Sequence, residues 1–560
     1  MRRINTNPSG YEELRTNHDF YVDKTSFIKE WWEDADTVMM FMRPHGTGKT
    51  LNMDMLNCFF SNRYAGRSDL FEGMDIWKEE KYRELQGTYP VIVLSFADIK
   101  ETTFQDARRG IARALQKSFY IYKDLWDQLD QSEKEKYFFY TITEDSPDAE
   151  VIKSLQQFSY FLASHYQKKV LILLDAYDVP LLAAYENGYW KEMDSFIRCF
   201  CTSVFKVNRY LERGLLTGVT RIPKEPYDSG FNNVSMKTIF YYRYETCFGF
   251  TQEEVNKALE EYHLSDQKEI VKEWYGGFNF QSKETVYNPA SIVQYLAHKG
   301  KTDLYSTGIP ENNLISKQLR ISPFSMKSQM ENLLNDGTVE MEIDEEFYYS
   351  QIDNGYDSLW NLLLAEGYFN VISHRFDGLR YHYVLRITDL EVKQTLQKLI
   401  TEWFRPVETD FRAFMRSLIC GDCKSLRESL KNIQSSTDNF YDDRRYISEA
   451  EKPESFCYGL LLGMVAQEKE YRITSNRESG RGRYDVMMKP LKKDLPGIII
   501  EFKVFDPKRE NDLEETADRA LSQIREKNYD AELIAENIPE ENILHYGMAF
   551  SGKDVVVKTE

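Results

Sequence analysis

Four short apolar runs alternate with amphipathic segments along the first half of the chain. Each run has the length of a buried strand, and the runs cover Val38–Met42, Val91–Leu94, Val170–Leu174 and Leu215–Val219. Apolar residues at helical spacing separate these runs and predict helices that include Thr50–Phe60, Ala107–Tyr120 and Ile152–Tyr166. Buried strands that alternate with helices are typical of a parallel sheet, so residues 1–248 are predicted to form one α/β domain.

The pattern becomes mainly helical over residues 249–404. The segment TQEEVNKALEEY begins with Thr251 and carries Glu254 three residues later, which is the capping-box signature of a helix start. A Gly-Gly turn in WYGGFNF and a second helix in NPASIVQYL follow. Residues 306–344 are polar and match no single element. We expect a mostly helical lid or coupling region here.

The pattern changes again over residues 405–560. Helices are predicted near Phe411–Ile419, Cys423–Ile433 and Ser455–Gln467. Two apolar strands follow in GRYDVMMKP and GIIIEFKVF, then a helix near Glu514–Lys527 and a strand pair in HYGMAFSG and KDVVVKT. The sequence therefore predicts a second, compact α/β domain at this end.

Charge and composition limit the function classes. The formal net charge is -19, which argues against a general nucleic-acid-coating surface but leaves room for a local basic groove. The seven cysteines are scattered, and the CxxC pair Cys420 and Cys423 lacks a second pair to complete a zinc site. Neither a membrane span nor a signal peptide is evident, so we expect a cytoplasmic protein with reduced thiols.

A glycine-rich loop lies between the first predicted strand and the next helix. In TVMMFMRPHGTGKTLNMD the glycines allow backbone N–H groups to close around phosphates, the lysine can reach the β and γ oxygens, and the final threonine can ligate Mg²⁺. The full pattern, GxxxxGK followed by Ser or Thr, is not met, because its first position is arginine. The strand–loop–helix context nevertheless favours ATP binding. The predicted contacts are Arg43, Gly46, Thr47, Gly48, Lys49 and Thr50.

A second predicted element of this site is KKVLILLDAYDVP, an apolar strand that ends in Asp175. A carboxylate at the end of such a strand binds the Mg²⁺ that accompanies ATP. The next residue, Ala176, has no proton acceptor where many such ATPases carry a water-polarising glutamate, so we expect ATP binding with slow hydrolysis. Asp178 could substitute. Natural loss and an engineered replacement are both consistent with the alanine.

A third element is LLTGVTRIPK. Thr217 lies at a strand end, where it could sense the γ-phosphate, and it belongs to the predicted nucleotide site. Arg221 and Lys224 follow in the loop and could stabilise phosphate charge within one chain or from a neighbouring subunit. Exposed basic residues are common, so a plain surface role is the alternative for both.

The order of these motifs resembles the bacterial AAA-ATPase-like proteins, which usually carry a PD-(D/E)XK nuclease domain at the C-terminus. RPHGTGKT, LLDAYDVP, TGVTRIPK, SGFNN and WYGGFNF occur in the family order. Two departures stand out. The family loop usually reads RPRRFGKS or RPRRFGKT, and the family's Asp-Glu-Tyr-Asp run is Asp175-Ala176-Tyr177-Asp178 here. The resemblance implies nucleotide binding and nuclease activity, and it hints at defence against phage or mobile DNA.

Charged residues in two adjoining apolar strands suggest the nuclease chemistry independently. Asp485 lies in GRYDVMMKP, while Glu501 and Lys503 lie in GIIIEFKVF and project to the same side of their strand. The two carboxylates can hold Mg²⁺ or Mn²⁺, and the lysine can orient a water or stabilise charge on phosphorus. The alternative is a buried Glu–Lys ion pair.

Further candidates surround these three residues. The resemblance implies a third acidic ligand in Glu454, at a helix start, and a catalytic Gln523 on the helix that follows the strands. A helix-start carboxylate and a solvated glutamine are the ordinary alternatives. Residues that could approach the metal or supply the basic groove are Glu478, Arg477, Arg481 and Arg483.

Together these patterns predict an ATP-binding protein whose nucleotide state gates a metal-dependent nuclease, with DNA favoured over RNA. The expected cofactors are ATP and Mg²⁺, with Mn²⁺ an option at the nuclease site, and the chain is expected to form a homo-oligomer without membrane contact. One alternative is a nucleotide-controlled switch or scaffold that binds nucleic acid or protein without cleaving it. An ATP-driven motor on nucleic acid is a weaker alternative.

Overall fold

The computed structural model describes thirteen stretches of the chain, and they divide into two compact units. The stretches are 1–221, 233–278, 285–306, 312–344, 347–354, 357–403, 405–437, 452–475, 478–479, 482–492, 494–507, 509–551 and 554–560. The first unit comprises Met1–Gly308, Glu342–Tyr383 and Thr388–Glu391, and the second comprises Ile309–Met341, Val384–Ile387 and Val392–Glu560. The predicted division at residues 248 and 404 remains a prediction.

A five-stranded parallel sheet forms the centre of the first unit. Its strands are β1 Val38–Met42, β2 Val91–Ser95, β3 Val170–Asp175, β4 Leu211–Gly218 and β5 Ser235–Lys237. They lie in the order β2-β3-β4-β1-β5. All four predicted apolar runs are therefore confirmed as strands. Every side chain of β1 and β3 is buried, as expected for a parallel sheet covered on both faces.

Helices flank this sheet, and the three predicted from helical spacing are confirmed with slightly wider bounds. The helices before β5 are α1 Tyr11–Thr16, α2 Ser26–Glu33, α3 Lys49–Phe60, α4 Glu80–Leu85, α5 Phe104–Tyr120, α6 Lys123–Asp127, α7 Gln131–Lys134, α8 Asp148–Tyr166, α9 Val179–Asn187 and α10 Trp190–Cys201.

The middle of the chain is mainly helical, as predicted, with short strands between the helices. Its elements are β6 Phe250–Thr251, α11 Gln252–Glu261, α12 Lys268–Tyr275, β7 Val286–Tyr287, α13 Pro289–Ala297, α14 Asn312–Ile321, α15 Phe324–Leu334, β8 Val339–Glu342, α16 Asp357–Ala365, β9 Phe369–Phe376, β10 Tyr381–Ile387 and α17 Leu390–Glu402. The capping box is present, because Thr251 and Glu254 bond to each other's backbone N–H groups. Most of the SGFNN motif lies outside the described residues.

The second unit contains a mixed five-stranded sheet. Its helices and strands from residue 405 onward are α18 Glu408–Cys420, α19 Cys423–Thr437, α20 Lys452–Gln467, β11 Tyr471–Ser475, β12 Glu478–Ser479, β13 Gly482–Arg483, β14 Val486–Pro490, β15 Gly497–Val504, α21 Leu513–Lys527, α22 Ala531–Ala535, β16 Ile543–Ser551 and β17 Asp554–Thr559. The main sheet has the order β11-β14-β15-β16-β17, in which β15 and β16 are parallel and the other pairs antiparallel.

One glycine brings helix α21 close to this sheet. A Cβ atom on Gly547 in β16 would lie 2.4 Å from the carbonyl oxygen of Ala517 and 3.1 Å from the Cβ of Ala520. Only glycine fits such an approach of strand and helix backbones. The helix thereby runs beside β15, which carries the predicted nuclease residues.

No helix among the described stretches is long and apolar enough to cross a membrane.

Candidate functional site

The glycine-rich loop after β1 depends on two backbone positions that favour glycine. Gly46 and Gly48 have φ angles of 77° and 91°, in the left-handed region. A Cβ atom on Gly46 would also lie 2.5 Å from the side-chain oxygen of Asn288. The loop turns directly into α3, whose N-cap is Gly48, so the backbone N–H groups of the first helical turn are available to an anion.

Lys49 spans this loop. Its Nζ donates to the carbonyl oxygens of Arg43, at 2.6 Å, and Pro44, at 2.9 Å. The two carbonyl oxygens are weaker acceptors than phosphate oxygens, which carry negative charge. Phosphate oxygens can therefore replace the carbonyl oxygens as partners of the Lys49 ammonium. The lysine is thus held where the motif requires a cation for the β and γ phosphates.

Thr50, Asp175 and Thr217 come from three different elements and meet in one cluster. The hydroxyl of Thr50 donates to Asp175 Oδ2 at 2.8 Å, and the hydroxyl of Thr217 donates to Asp175 Oδ1 at 2.5 Å. The sheet order explains the meeting, because β4 lies between β1 and β3 and all three strands end at the same edge. The structure therefore brings together the predicted magnesium ligands and the predicted phosphate sensor.

The residues after Asp175 have separate roles. Ala176 adopts a φ of 52°, which is unusual for a residue with a Cβ, and its backbone N–H donates to Thr217 Oγ1 at 3.3 Å. Asp178 is buried and its Oδ2 accepts from the backbone N–H groups of Val219, at 2.7 Å, and Thr220, at 2.9 Å. Since Asp178 supports the loop after β4, these contacts disfavour it as a replacement for the missing glutamate.

Arg43 is buried against main chain. Its Nη1 donates to the carbonyl oxygens of Met42, Lys237 and Thr238 at 2.9, 2.7 and 2.6 Å. Burial lowers the pKa of the Arg43 guanidinium to about 10. These bonds tie the end of β1 to β5, so they favour a supporting role for Arg43 over the predicted phosphate contact.

Two further segments of the first unit reach the loop. Asn288, the N-cap of α13, donates from Nδ2 to the carbonyl oxygen of His45 at 3.1 Å. The His45 ring lies 3.9 Å from the fully buried carboxylate of Glu366.

Arg221 is also buried, and its backbone N–H donates to the carbonyl oxygen of Phe347 at 3.3 Å. The predicted Lys224 lies outside the described residues.

The predicted nuclease residues gather at one end of β15. The antiparallel register pairs Val486 with Ile500, so its extension sets Asp485 opposite Glu501, with both side chains on one face. Asp485 Oδ2 accepts from the backbone N–H of Phe502 at 2.7 Å. Lys503 Nζ donates to Glu501 Oε1 at 2.7 Å. The three candidates are thus neighbours, as the strand alternation predicts.

Gln523 joins the group from α21, and it brings Tyr529, which the sequence analysis missed. Gln523 Nε2 donates to Glu501 Oε1 and also contacts the Tyr529 hydroxyl at 3.1 Å. Tyr529 is 1% exposed, and its carbonyl oxygen accepts from the Ser479 hydroxyl at 2.7 Å. The sequence carried one signal for Tyr529, which directly follows Asn528 at the end of α21. The left-handed C-cap Asn528 turns the chain back towards the sheet.

Burial and charge repulsion act on Glu501. Burial, followed by the nearby Asp485 charge, raises the pKa of the Glu501 carboxyl to about 7, against the opposing effect of Lys503. Its Oε2 is buried without a hydrogen-bond partner among the described residues. A divalent cation between Asp485 and Glu501 would offset the repulsion between the two carboxylates and would give Oε2 of Glu501 a partner. Two hard carboxylate donors suit Mg²⁺ or Mn²⁺. The donor set therefore fits a metal ion.

Other predicted contributors lie partly outside the described residues. The side chains of Glu454, Glu478 and Arg483 are not described, and neither are residues Arg477 and Arg481. In the described stretches no group of three or more His, Cys, Asp or Glu side chains is arranged to hold a metal ion. Glu454 as a third ligand and the basic groove therefore remain predictions.

Two regions of the chain match models of known families. Residues 8–226 match the family model described as predicted AAA-ATPase, which covers β1, the glycine-rich loop, Asp175 and Thr217. Residues 452–560 match the model of the PD-(D/E)XK nuclease superfamily, which covers Asp485, Glu501, Lys503 and Gln523. No curated protein matches the chain significantly. The chain is thus similar to predicted AAA-ATPases over residues 8–226 and to the PD-(D/E)XK nuclease superfamily over residues 452–560.

Proposed function

We propose that this chain binds ATP at the loop after β1 and cleaves phosphodiester bonds of nucleic acid at the Asp485 site, with DNA preferred, and that the nucleotide state gates the cleavage. The observation that carries the proposal is the buried Glu501, held by Lys503 and Gln523 beside Asp485. A carboxylate with a raised pKa and an unsatisfied oxygen is costly in a fold unless a cation or a reaction uses it.

Each side chain at the nuclease site has a proposed role. Asp485 and Glu501 would hold the divalent cation, which when bound supplies Lewis-acid chemistry to the scissile phosphate. Lys503 carries a positive charge next to the carboxylates and offsets the negative charge that develops on the phosphate oxygens. Lys503 and Gln523 hold Oε1 of Glu501 from two sides and so fix its orientation, and Tyr529 in turn contacts Gln523.

The nucleotide site has room for a base beside the phosphate loop. A cavity of about 210 Å³ adjoins Gly46 and Gly48 and has apolar walls that include Leu51, Phe250 and Val293. We assign the phosphates to Lys49 and the loop N–H groups, and Mg²⁺ to Thr50 and Asp175. Because Ala176 offers no proton acceptor, bound ATP persists and acts as a signal.

Cleavage assays separate this proposal from a switch or scaffold that does not cut. The full chain is incubated with plasmid, linear duplex, single strands and RNA, with Mg²⁺ or Mn²⁺, and with or without ATP. We expect metal-dependent cleavage that changes with ATP and that Asp485→Asn removes. Nucleic-acid binding without cleavage under every condition would support the scaffold, and cleavage that Asp485→Asn retains would refute the assigned site.

Restoring the acid tests the slow-turnover assignment. Ala176→Glu is expected to raise ATP hydrolysis by about 10²-fold, the lower range for a positioned general base. Unchanged hydrolysis would show that position 176 does not limit turnover.

Light scattering with and without ATP tests the proposed homo-oligomer. Protection of cells from phage by the parent chain, and its loss in Asp485→Asn, tests the proposed role in defence.

A further inference from the structure

The β-hairpin formed by β9 and β10 has an exposed aromatic face over residues 372–381, which belong to the first unit. Strands β9 and β10 are neighbours in their sheet, and residues 372–381 are all exposed. Among the described residues, Phe376, Leu379 and Tyr381 are large apolar side chains with exposed fractions of 57%, 80% and 47%. Contiguous exposed apolar patches of a few hundred Å² are often functional.

The rings on this face form a continuous series, here called the aromatic ladder. The ring centroids of Phe376 and Tyr381 are 4.9 Å apart, those of Tyr381 and His374 6.0 Å, and those of His374 and Tyr383 5.7 Å. Tyr383 is buried and packs on Phe240 at 5.0 Å. The ladder is thus anchored at its inner end and presents its outer rings to solvent.

Hydrogen bonds hold the hairpin tip, which carries Arg380. Asp377 Oδ1 accepts from the backbone N–H groups of Leu379, at 2.8 Å, and Arg380, at 2.9 Å, and Asp377 Oδ2 lies 2.7 Å from the His382 ring. These bonds hold the pKa of Asp377 below its usual range and offset its charge within the turn. Arg380 lies at this tip and pairs with Glu342, whereas Arg375 alternates with His374 and Phe376 along β9 and projects to the opposite face.

We propose that the aromatic ladder binds single-stranded nucleic acid, with unpaired bases stacked on His374, Phe376 and Tyr381 and Arg380 near a phosphate. Every base has a π-face, so stacking on aromatic rings is a sequence-tolerant way to hold an unpaired strand. The inference rests on the proposed function only in choosing nucleic acid as the ligand. It adds a contact site outside the cleavage centre.

The size of the exposed face favours this ligand over a protein partner. Three half-exposed rings offer about 300 Å², given about 150–250 Å² for a whole aromatic side chain, whereas a stable protein interface needs about 800 Å² from each partner. The chain as a whole carries a charge of -19 and repels phosphate. A contact made mainly through base stacking avoids that repulsion, because it depends little on positive charge.

Binding in the presence of EDTA tests the ladder without cleavage. Fluorescence anisotropy of labelled single-stranded DNA, single-stranded RNA and duplex DNA is measured with the parent chain and with Phe376→Ala/Tyr381→Ala. Tyr120→Ala, which removes another exposed ring, is the matched control. We expect the double variant to bind DNA or RNA single strands at least about 10-fold more weakly, with the control unchanged. The slope of log K against log salt is expected to be no steeper than about -0.7, for one phosphate contact.

Several results would overturn the ladder. They are a parent chain that binds no single strand, a double variant that binds like the parent, an equal loss in Tyr120→Ala, and a change in self-association without a change in binding. Plasmid cleavage with Mg²⁺, measured in parallel, keeps the two proposals apart. If the proposed nuclease function is wrong, neither the parent chain nor the variants cleave the plasmid. If the proposed ladder is wrong, the double variant still binds the oligonucleotide like the parent chain.

Discussion

The loop after β1 and the carboxylate site on β15 are both suited to phosphate chemistry, but they are built in opposite ways. At the loop, main-chain geometry supplies most of the site, since Gly46 and Gly48 set the backbone and Lys49 adds one positive charge. At the second site, side chains supply everything, since Asp485, Glu501 and Lys503 project from strands of ordinary geometry.

The sign of the charge decides what each site needs. N–H groups and an ammonium attract phosphate directly, and the proposed ligands of the Mg²⁺ that would accompany ATP are Thr50 and Asp175. The ionised forms of Asp485, Glu501 and Lys503 together carry a net negative charge, so we expect them to repel a phosphodiester until a divalent cation binds. We therefore expect a metal ion to aid the first site and to be required at the second.

The largest expected effect is at the second site. Lys503→Met keeps the length of the side chain and removes its charge, so we expect cleavage to fall about 10²–10³-fold while ATP affinity is unchanged. Single-turnover cleavage and a fluorescent ATP analogue give the two readouts. Lys492→Met is the control, because that lysine is exposed and pairs only with Glu470 among the described residues. Equal cleavage by the two variants would contradict the role of Lys503.

The corresponding change at the loop is Lys49→Met. The loss of one charge-assisted contact to phosphate should weaken ATP binding about 10- to 100-fold and leave metal-dependent cleavage without ATP unchanged. Titration with the ATP analogue measures the affinity. Lys29→Met, which removes an exposed lysine paired with Glu79, is the control. If the control loses affinity equally, Lys49 is not the phosphate ligand.

A smaller effect is expected from Tyr529→Phe, which removes the hydroxyl that contacts Gln523. We expect kcat to fall about 10-fold with little change in KM, because the loss loosens Glu501 without touching substrate. Tyr484→Phe removes another buried hydroxyl, 2.8 Å from Thr474 Oγ1, and serves as the control. The same loss in both variants would indicate general packing damage and count against Tyr529.

The smallest effect concerns the backbone near the loop. Ala176→Gly should raise the free energy of unfolding by up to about 1 kcal/mol, because glycine adopts the observed φ of 52° without steric cost. The thermal midpoint of the ATP-free chain measures it. ATP hydrolysis should stay low, since glycine also lacks a carboxylate. A lowered midpoint would mean that the methyl group contributes more through packing than it costs in strain.

Local patterns predicted much of the fold and the central members of both sites. The four apolar runs became β1 to β4, and the alternation in GIIIEFKVF correctly set Glu501 and Lys503 together. The polar segment 306–344 matched no single element in the pattern, yet it forms α14 and α15, where the buried Glu331 accepts from the backbone N–H of Ser475 at 2.7 Å. Nothing in a local pattern distinguishes such a glutamate from a solvated one.

The sequence by itself determined which residue types carry the chemistry, because strand and helix periodicity act over a few neighbouring residues. Only the tertiary structure decided that Asp178 supports the loop after β4, that Arg43 binds main chain and that Tyr529 reaches Gln523. Each of these contacts joins segments that are distant in the chain or separated by a turn. Their geometry follows from how the elements pack, which local periodicity does not encode.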